Sequence, residues 1–213
     1  MATRVWEEAK EIGGREVVSS KWLVKVIGVG SFIIFTALGA YVWIRLPFTP
    51  VPLTLQTFFV LLSGAVLGGR LGALSQLGYW VIGGLGLPFF AGGTFGFKAL
   101  FGPTGGYLLG FILASWIVGW FRSPKVTLGF GVPSGLADKN KTRFRDLFSI
   151  FLIADLLLLL LGASWLAVVL HCSIKKAILL GVLPFIPGDL VKIIFATLIY
   201  KKFQLRFRQI YPI

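Results

Sequence analysis

The sequence predicts an all-α integral membrane protein with six transmembrane helices, because the chain is very apolar and its apolar residues fall into six runs. Of its 213 residues, 56% are hydrophobic and 14% are charged, and the mean hydropathy is +0.87. A soluble domain of this length cannot bury that much apolar surface in one core. A helix needs roughly 20 apolar residues to cross a bilayer, so the chain has room for about five to seven crossings.

The apolar runs give the expected positions of the helices. They are residues 22–44, 53–67, 71–85, 105–121, 147–170 and 177–200. The second and third runs are short for a crossing, so they either extend into flanking residues or form steep, broken helices. We expect four regions: a cytoplasmic amino-terminal segment, 1–21; one membrane domain, 22–203; a basic cytoplasmic loop within it, 122–145; and a cytoplasmic tail, 204–213.

The distribution of lysine and arginine predicts the orientation of the bundle. Translocation disfavours positive charge in short outer loops. With the amino terminus inside, 16 of the 21 Lys and Arg residues fall in inner segments and four in outer connections. This asymmetry predicts that both termini are cytoplasmic and favours an even number of crossings.

The net charge of +13 does not indicate a nucleic-acid-binding protein, because the basic residues cluster beside apolar runs rather than on a reading module. The pattern is typical of loops that meet anionic lipid. Cys172 is the only cysteine and His171 the only histidine, too few for a structural metal site. The first 21 residues do not resemble a secretory signal.

The first outer connection contains the segment LPFTPVPLTLQTF, in which Pro47, Pro50 and Pro52 stiffen the chain before the second helix. Such a fixed loop can form a wall or lid over a site. Gln56 would then face inward as a neutral hydrogen-bonding group suited to an amide or urea. The alternative is an ordinary proline-rich helix start.

The second outer connection, LPFFAGGTFGFKALFGPTGGY, surrounds one cation, Lys98, with glycines and phenylalanines. Glycine lets backbone amides approach a ligand closely, and the aromatic rings supply an apolar wall. The glycines do not form a phosphate loop, because Lys98 follows Phe97 rather than glycine. The chain therefore has no evident means of hydrolysing ATP. The alternative is a glycine-rich turn that packs between helices.

The segment IPGDLVKI interrupts the last apolar run with Pro187 and Gly188, and Asp189 and Lys192 follow on one helical face. A lone charge at the centre of a span costs roughly 2.5 to 3.5 kcal/mol on insertion scales, so such residues indicate a pathway or a site. A helix that begins there also directs its free N–H groups at a ligand anion. The alternative is a salt bridge that only neutralises the pair.

Two further features have structural interpretations. Asp155 lies in the fifth run, and we expect it to reach the headgroups or Arg145 rather than a site. Thr36, Ala37 and Ala40 form a patch of small residues that serves either close packing inside the bundle or docking to a partner subunit.

Four motifs in order, LPFTPVPLTLQTF, GALSQLGYW, GLPFFAGGTFGFKALFGPTGGYLLGF and LPFIPGDLVKI, resemble those of the BioY family, the biotin-binding S components of energy-coupling factor (ECF) transporters. The resemblance covers residues 46–199. It implies the six-helix S-component fold in the bacterial plasma membrane and a biotin site near the outer face, capped by the first and third inter-helix loops.

The resemblance further implies that the chain is not an enzyme, holds no cofactor and works with a transmembrane T component and two ATPase subunits. It implies that biotin is bound by the motif residues and nearby polar groups, namely Gln56, Tyr79, Gly92, Gly93, Lys98, Tyr107, Asp189 and Lys192. The patch at Thr36, Ala37 and Ala40 is similar to the family's alanine-rich docking motif, although its alanines are three rather than four apart.

Three alternatives stay open at this point. One is a self-sufficient ion-coupled transporter that uses Asp189 as its ion site, and another is an S component for a different small anionic vitamin. The third is an intramembrane enzyme with Ser63 or Cys172 as nucleophile and His171 as base, which lacks a visible group to orient the base.

Overall fold

The computed structural model describes residues 21–122 and 143–211. The predicted amino-terminal segment, most of the basic loop at 122–145 and the last two residues lie outside the described residues.

Within these ranges the chain forms helices, one short 3₁₀ turn and one small hairpin. The helices are α1 (Lys21–Tyr41), α2 (Gln56–Leu67), α3 (Gly69–Gly84), α4 (Gly96–Leu100), α5 (Gly105–Arg122), α6 (Phe144–Val169), α7 (Ile174–Gly181) and α8 (Ile186–Ile210), with the 3₁₀ turn at Ala91–Gly93. The strands β1 (Trp43–Ile44) and β2 (Leu53–Thr54) pair antiparallel. We call the end of the bundle that carries the hairpin, the 3₁₀ turn and α4 the loop end.

The helices differ in their capacity to cross a membrane. In the described ranges, α1 and α6 are long and apolar enough to cross alone, and α7 and α8 qualify together as a pair bent by 53°. Helices α2 and α5 are apolar but shorter. With 12 residues, α2 is about 18 Å long, against roughly 30 Å of hydrocarbon. The number of crossings and the side of the termini stay predictions.

Helix α2 lies at the centre of the bundle, where it packs against α1, α3, α5 and α8. Only Gly68 separates α2 from α3, and its φ of 84° allows the sharp reversal between them. Helix α5 approaches α2 so closely that a Cβ on Gly64 would clash with the carbonyl oxygen of Ser115. The short second helix is therefore buried along nearly all of its length, whereas the third helix, which follows after the reversal, is buried on one face only.

Several helix boundaries differ from those expected, and the ends of the first and last helices show why. The first helix ends at Tyr41 rather than near residue 44, because Trp43 and Ile44 adopt the extended conformation that pairs with Leu53 and Thr54. The last helix continues to Ile210, past the predicted end of the membrane domain at 203, since residues 204–210 contain neither proline nor glycine. A change in hydropathy does not by itself end a helix.

Candidate functional site

Asp189 and Lys192 form a buried ion pair at the start of α8. Lys192 Nζ lies 2.6 Å from Asp189 Oδ1, and the side chains are 11% and 3% exposed, respectively. Pro187 occupies the first turn of α8, where its missing N–H is not needed, and the chain bends just before this turn. The bend places the pair inside the bundle at the end of a helix.

Thr57 at the start of α2 links the pair to the centre of the bundle. Its hydroxyl accepts a hydrogen bond from Lys192 Nζ at 3.0 Å and lies 3.3 Å from Asp189 Oδ1, to which it donates. Asp189 Oδ2 is buried and has no hydrogen-bond partner among the described residues. A buried carboxylate oxygen without a donor is costly in the ligand-free protein, and it is an acceptor ready for a ligand N–H.

The pair lies in the wall of an inner pocket of about 40 Å³. Its polar lining consists of hydroxyl, amide and charged groups, and aromatic and aliphatic side chains complete the wall. The lining residues are Val51, Pro52, Thr54, Gln56, Thr57, Phe90, Ala91, Thr104, Tyr107, Leu108, Phe111, Leu158, Leu159, Phe185, Asp189 and Lys192. A mostly apolar pocket with a few converging polar groups is typical of a small-molecule site.

An outer basin of about 570 Å³ adjoins the pocket at the loop end. The two share Pro52, Ala91 and Thr104 in their walls. The basin carries two cations, Arg45 and Lys98, and no acidic residue belongs to the part of its wall that the structure describes. It therefore attracts anions towards the mouth of the pocket.

The predicted site residues divide between these two spaces. Gln56, Tyr107, Asp189 and Lys192 line the inner pocket, whereas Gly92, Gly93 and Lys98 line the outer basin. Gly92 and Gly93 have φ of 67° and 75°, which glycine adopts without strain.

Tyr79 was predicted to complete the pocket together with Gln56. It does not line the pocket but lies fully buried behind Gln56. Gln56 Nε2 donates to the Tyr79 hydroxyl, which donates to the carbonyl of Phe89 at 2.9 Å. Thr54 donates to Gln56 Oε1 at 3.0 Å. Tyr79 therefore orients the amide of Gln56, because a buried phenol must satisfy its hydroxyl within the protein.

Tyr107 connects α5 to the end of α7. Its hydroxyl donates to the carbonyl of Gly181 at 2.8 Å, and its ring packs against Phe185. These contacts fix the bend between α7 and α8, and with it the position of the ion pair.

The expectation that Asp155 reaches the headgroups or Arg145 is wrong. Asp155 is 2% exposed and belongs to the inward face of α6, together with Leu158 and Leu159 of the pocket wall. The distance of Asp155 along the chain from the basic loop does not determine whether its side chain is buried. The face of the helix, which decides its burial, is set by packing.

The docking prediction for Thr36, Ala37 and Ala40 is not supported by their placement, because all three are buried inside the bundle. Thr36 donates to the carbonyl of Phe32 and lies within hydrogen-bond distance of Gln76. Internal packing, the other interpretation of this patch, agrees with these contacts.

Of the two proposed nucleophiles, Cys172 is adjacent to His171 in the chain, but Ser63 and His171 are not brought together. Ser63 is fully buried and bonds Ser115 at 2.8 Å, while His171 is exposed beyond the end of α6. The described ranges also contain no group of three or more His, Cys, Asp or Glu residues that could hold a metal ion.

Sequence reasoning missed Thr57, Arg45 and the burial of Asp155. Thr57 directly follows Gln56 in the motif LPFTPVPLTLQTF, and this position could have indicated a site residue. Its contact with a lysine 135 positions away was not readable from the sequence.

Comparisons with known proteins agree on one family. A family model described as the BioY family matches residues 13–209. The chain is 38% identical over 175 residues to the biotin transporter BioY of Thermotoga maritima, covering 82% of this chain and 92% of that protein. It is 41% identical over 176 residues to a probable biotin transporter BioY of Pyrococcus horikoshii, covering 83% and 93%.

A solved structure, the S-component for biotin from an ECF-type ABC transporter, matches this fold with a TM-score of 0.79. The match covers 92% of this chain and 99% of that one at 22% identity. The all-helical architecture described above is therefore the fold of an S component.

Proposed function

This chain belongs to the BioY family, and from that premise we propose that it captures biotin and delivers it for import as the substrate-binding subunit of an ECF-type transporter. The curated relatives are transporters rather than enzymes. One observation carries the proposal for this molecule: a buried, hydrogen-bonded ion pair forms part of the wall of a pocket that residues of two loops also line.

We assign the ureido ring of biotin to the inner pocket. A ureido group offers two N–H donors and one carbonyl acceptor. Within the described ranges Asp189 Oδ2 receives no hydrogen bond, and the ammonium of Lys192 can donate one to a ligand carbonyl oxygen. A ligand carboxylate would be repelled by Asp189, so the acid end of biotin does not fit here.

We assign the valerate carboxylate to the outer basin, where Arg45 and Lys98 supply positive charge. The guanidinium of Arg45 lies 5.2 Å from the centre of the Trp43 ring, which supports it over the mouth of the pocket. The apolar middle of biotin then lies against the aromatic and aliphatic wall between the two spaces.

The topology and partners belong to the same proposal. The bundle is assigned six crossings, namely α1, α2, α3, α5, α6 and the bent pair α7–α8, in the cell membrane with both termini cytoplasmic. The T component and two ATPase subunits supply the energy, because no phosphate loop is evident in this chain.

Isothermal titration of the purified protein with three ligands tests the assignment. We expect biotin to bind tightly and its methyl ester to bind about tenfold more weakly. An analogue methylated at both ureido nitrogens is expected to have an affinity at least about 100-fold lower. Equal losses of affinity for the two analogues would contradict the orientation assigned to biotin in the site. A wild-type protein that fails to bind biotin would overturn the proposed function.

Cellular uptake tests the partners. Import of biotin requires co-expressed T and ATPase subunits, and these subunits co-purify with the chain. Uptake by the chain alone that collapses with the ion gradient would favour the self-sufficient transporter.

A further inference from the structure

Asp155 is a buried acid that the site as described above does not use. It is 2% exposed near the middle of α6, and within the described part of the chain its Oδ1 has no hydrogen-bond partner. An ionisable residue at such a position in a membrane protein is expensive, and it generally faces a cavity or a charged partner. The α6 helix continues through this position without a break, so fold geometry alone does not require an acid here.

The surroundings of Asp155 connect it to the pocket. Leu158 and Leu159, one turn further along the same face of α6, line the inner pocket. Helix α8, which carries Asp189 and Lys192, packs against α6. Asp155 therefore lies just below the pocket, on the side away from the loop end.

The hydrogen bonds of Lys192 are incomplete. An ammonium group carries three donors, and Asp189 Oδ1 and Thr57 Oγ1 take two of them. Among the described residues, one donor on Lys192 and one acceptor on Asp155 thus have no hydrogen-bond partner, and the two lie on neighbouring helices. In a site of low polarity, such groups stabilise each other through their charges even before a direct bond forms.

We propose that Asp155 is a positioning residue of this site, whose carboxyl stabilises the ammonium of Lys192 from below while Asp189 turns to the ligand. The inference rests on the proposed function. When a ureido N–H engages Asp189, that carboxylate becomes a weaker counter-ion for Lys192. A second carboxyl beneath the lysine compensates for this change and holds the ammonium towards the ligand carbonyl.

Four variants test this role by titration with biotin. Asp155→Leu replaces the carboxyl with a larger apolar group that branches at the same carbon, and Asp155→Glu retains the carboxyl on a longer stem. Asp155→Asn removes the charge but keeps an acceptor. Asp146→Asn, in the first turn of the same helix, is the matched control. We expect Asp155→Leu to weaken biotin binding at least tenfold, Asp155→Glu to stay within about fivefold of the wild type, and the control to be unchanged.

Thermal unfolding of the ligand-free protein separates positioning from packing. Because Asp155→Leu removes an unmatched buried acid, its Tm is expected to stay equal or rise while its affinity falls. Replacing a residue that only holds the fold together would lower both the Tm and the affinity for biotin. If the leucine variant does not fold, Asp155→Asn is the test, with an expected loss of at least about fivefold at unchanged Tm.

Two results would overturn the inference while the proposed function stands: Asp155→Leu binding biotin within threefold of the wild type, or a loss that follows Tm and is not restored by Asp155→Glu. An affinity of Asp155→Asn for biotin within twofold of the wild type would also overturn the inference. A wild-type protein that does not bind biotin would overturn both proposals together.

Discussion

Neutralising both members of the buried pair distinguishes a pair kept for a ligand from one kept for the fold. Lys192→Met alone leaves Asp189 buried with Thr57 as its remaining partner. Removing one partner of a buried pair typically costs about 3 to 5 kcal/mol of stability. The double variant Asp189→Asn, Lys192→Met has no buried charge at these positions, and such replacements are often neutral or stabilising.

The double variant is expected to lose affinity for biotin even though it keeps its stability. A hydrogen bond to a charged group contributes about 1.5 to 3 kcal/mol. The ligand is assigned two such bonds, one to Asp189 Oδ2 and one from Lys192, so the double variant loses about 3 to 6 kcal/mol. This corresponds to a decrease in affinity of roughly 10²- to 10⁴-fold.

Thermal unfolding and calorimetric titration of the same detergent-solubilised samples measure the two effects. We expect Lys192→Met to unfold earlier, the double variant to recover the wild-type Tm, and both to bind biotin poorly. Lys175→Met, an exposed lysine of the same bent pair, controls for the loss of a positive charge. A double variant that binds biotin within threefold of the wild type would refute the reasoning, because the pair would then serve only its own neutrality.

Three further predictions concern the tyrosine behind Gln56, the cation of the outer basin and the packing of α2 against α5. Tyr79→Phe frees the amide of Gln56, and we expect about tenfold weaker biotin binding by calorimetry; unchanged binding would show that Gln56 is oriented without it. Lys98→Ala is expected to slow biotin association several-fold at low salt and to reduce its salt dependence in stopped-flow measurements, whereas Lys201→Ala, outside the basin, has no effect. Gly64→Leu is expected to prevent folding or to lower Tm strongly, because α5 leaves no room for a side chain; a wild-type Tm would contradict this close packing.

The local part of the site was predictable from the sequence. Proline and glycine before Asp189 predicted where the last helix begins, and a spacing of three predicted that Asp189 and Lys192 share a face. Both predictions depend on one segment and on helical geometry alone. The small-residue patch in α1 was harder, because close packing within a chain and between subunits needs the same residue types.

The non-local part required the fold. Thr57 touches Asp189 and Lys192 across more than 130 positions, and the role of Tyr79 depends on Gln56 and on a loop carbonyl. Asp155 shows the same limit, because a single acid in an apolar run reads alike whether it faces lipid, headgroups or a pocket. Which of these applies is decided by the helices packed against α6.

The start of the short α2 and the start of α8, just after the bend from α7, meet at the ion pair. Thr57 bonds both members of the ion pair, so α2 begins at the level of the pocket rather than at the loop end. Beyond the pocket, the hairpin and the 3₁₀ turn contribute Trp43 and Ala91–Gly93 to the wall of the outer basin. Irregular backbone at membrane depth is tolerated where it is buried in protein or lines a cavity. The short α2 and the bend between α7 and α8 are therefore the departures from long continuous helices that make room for the pocket.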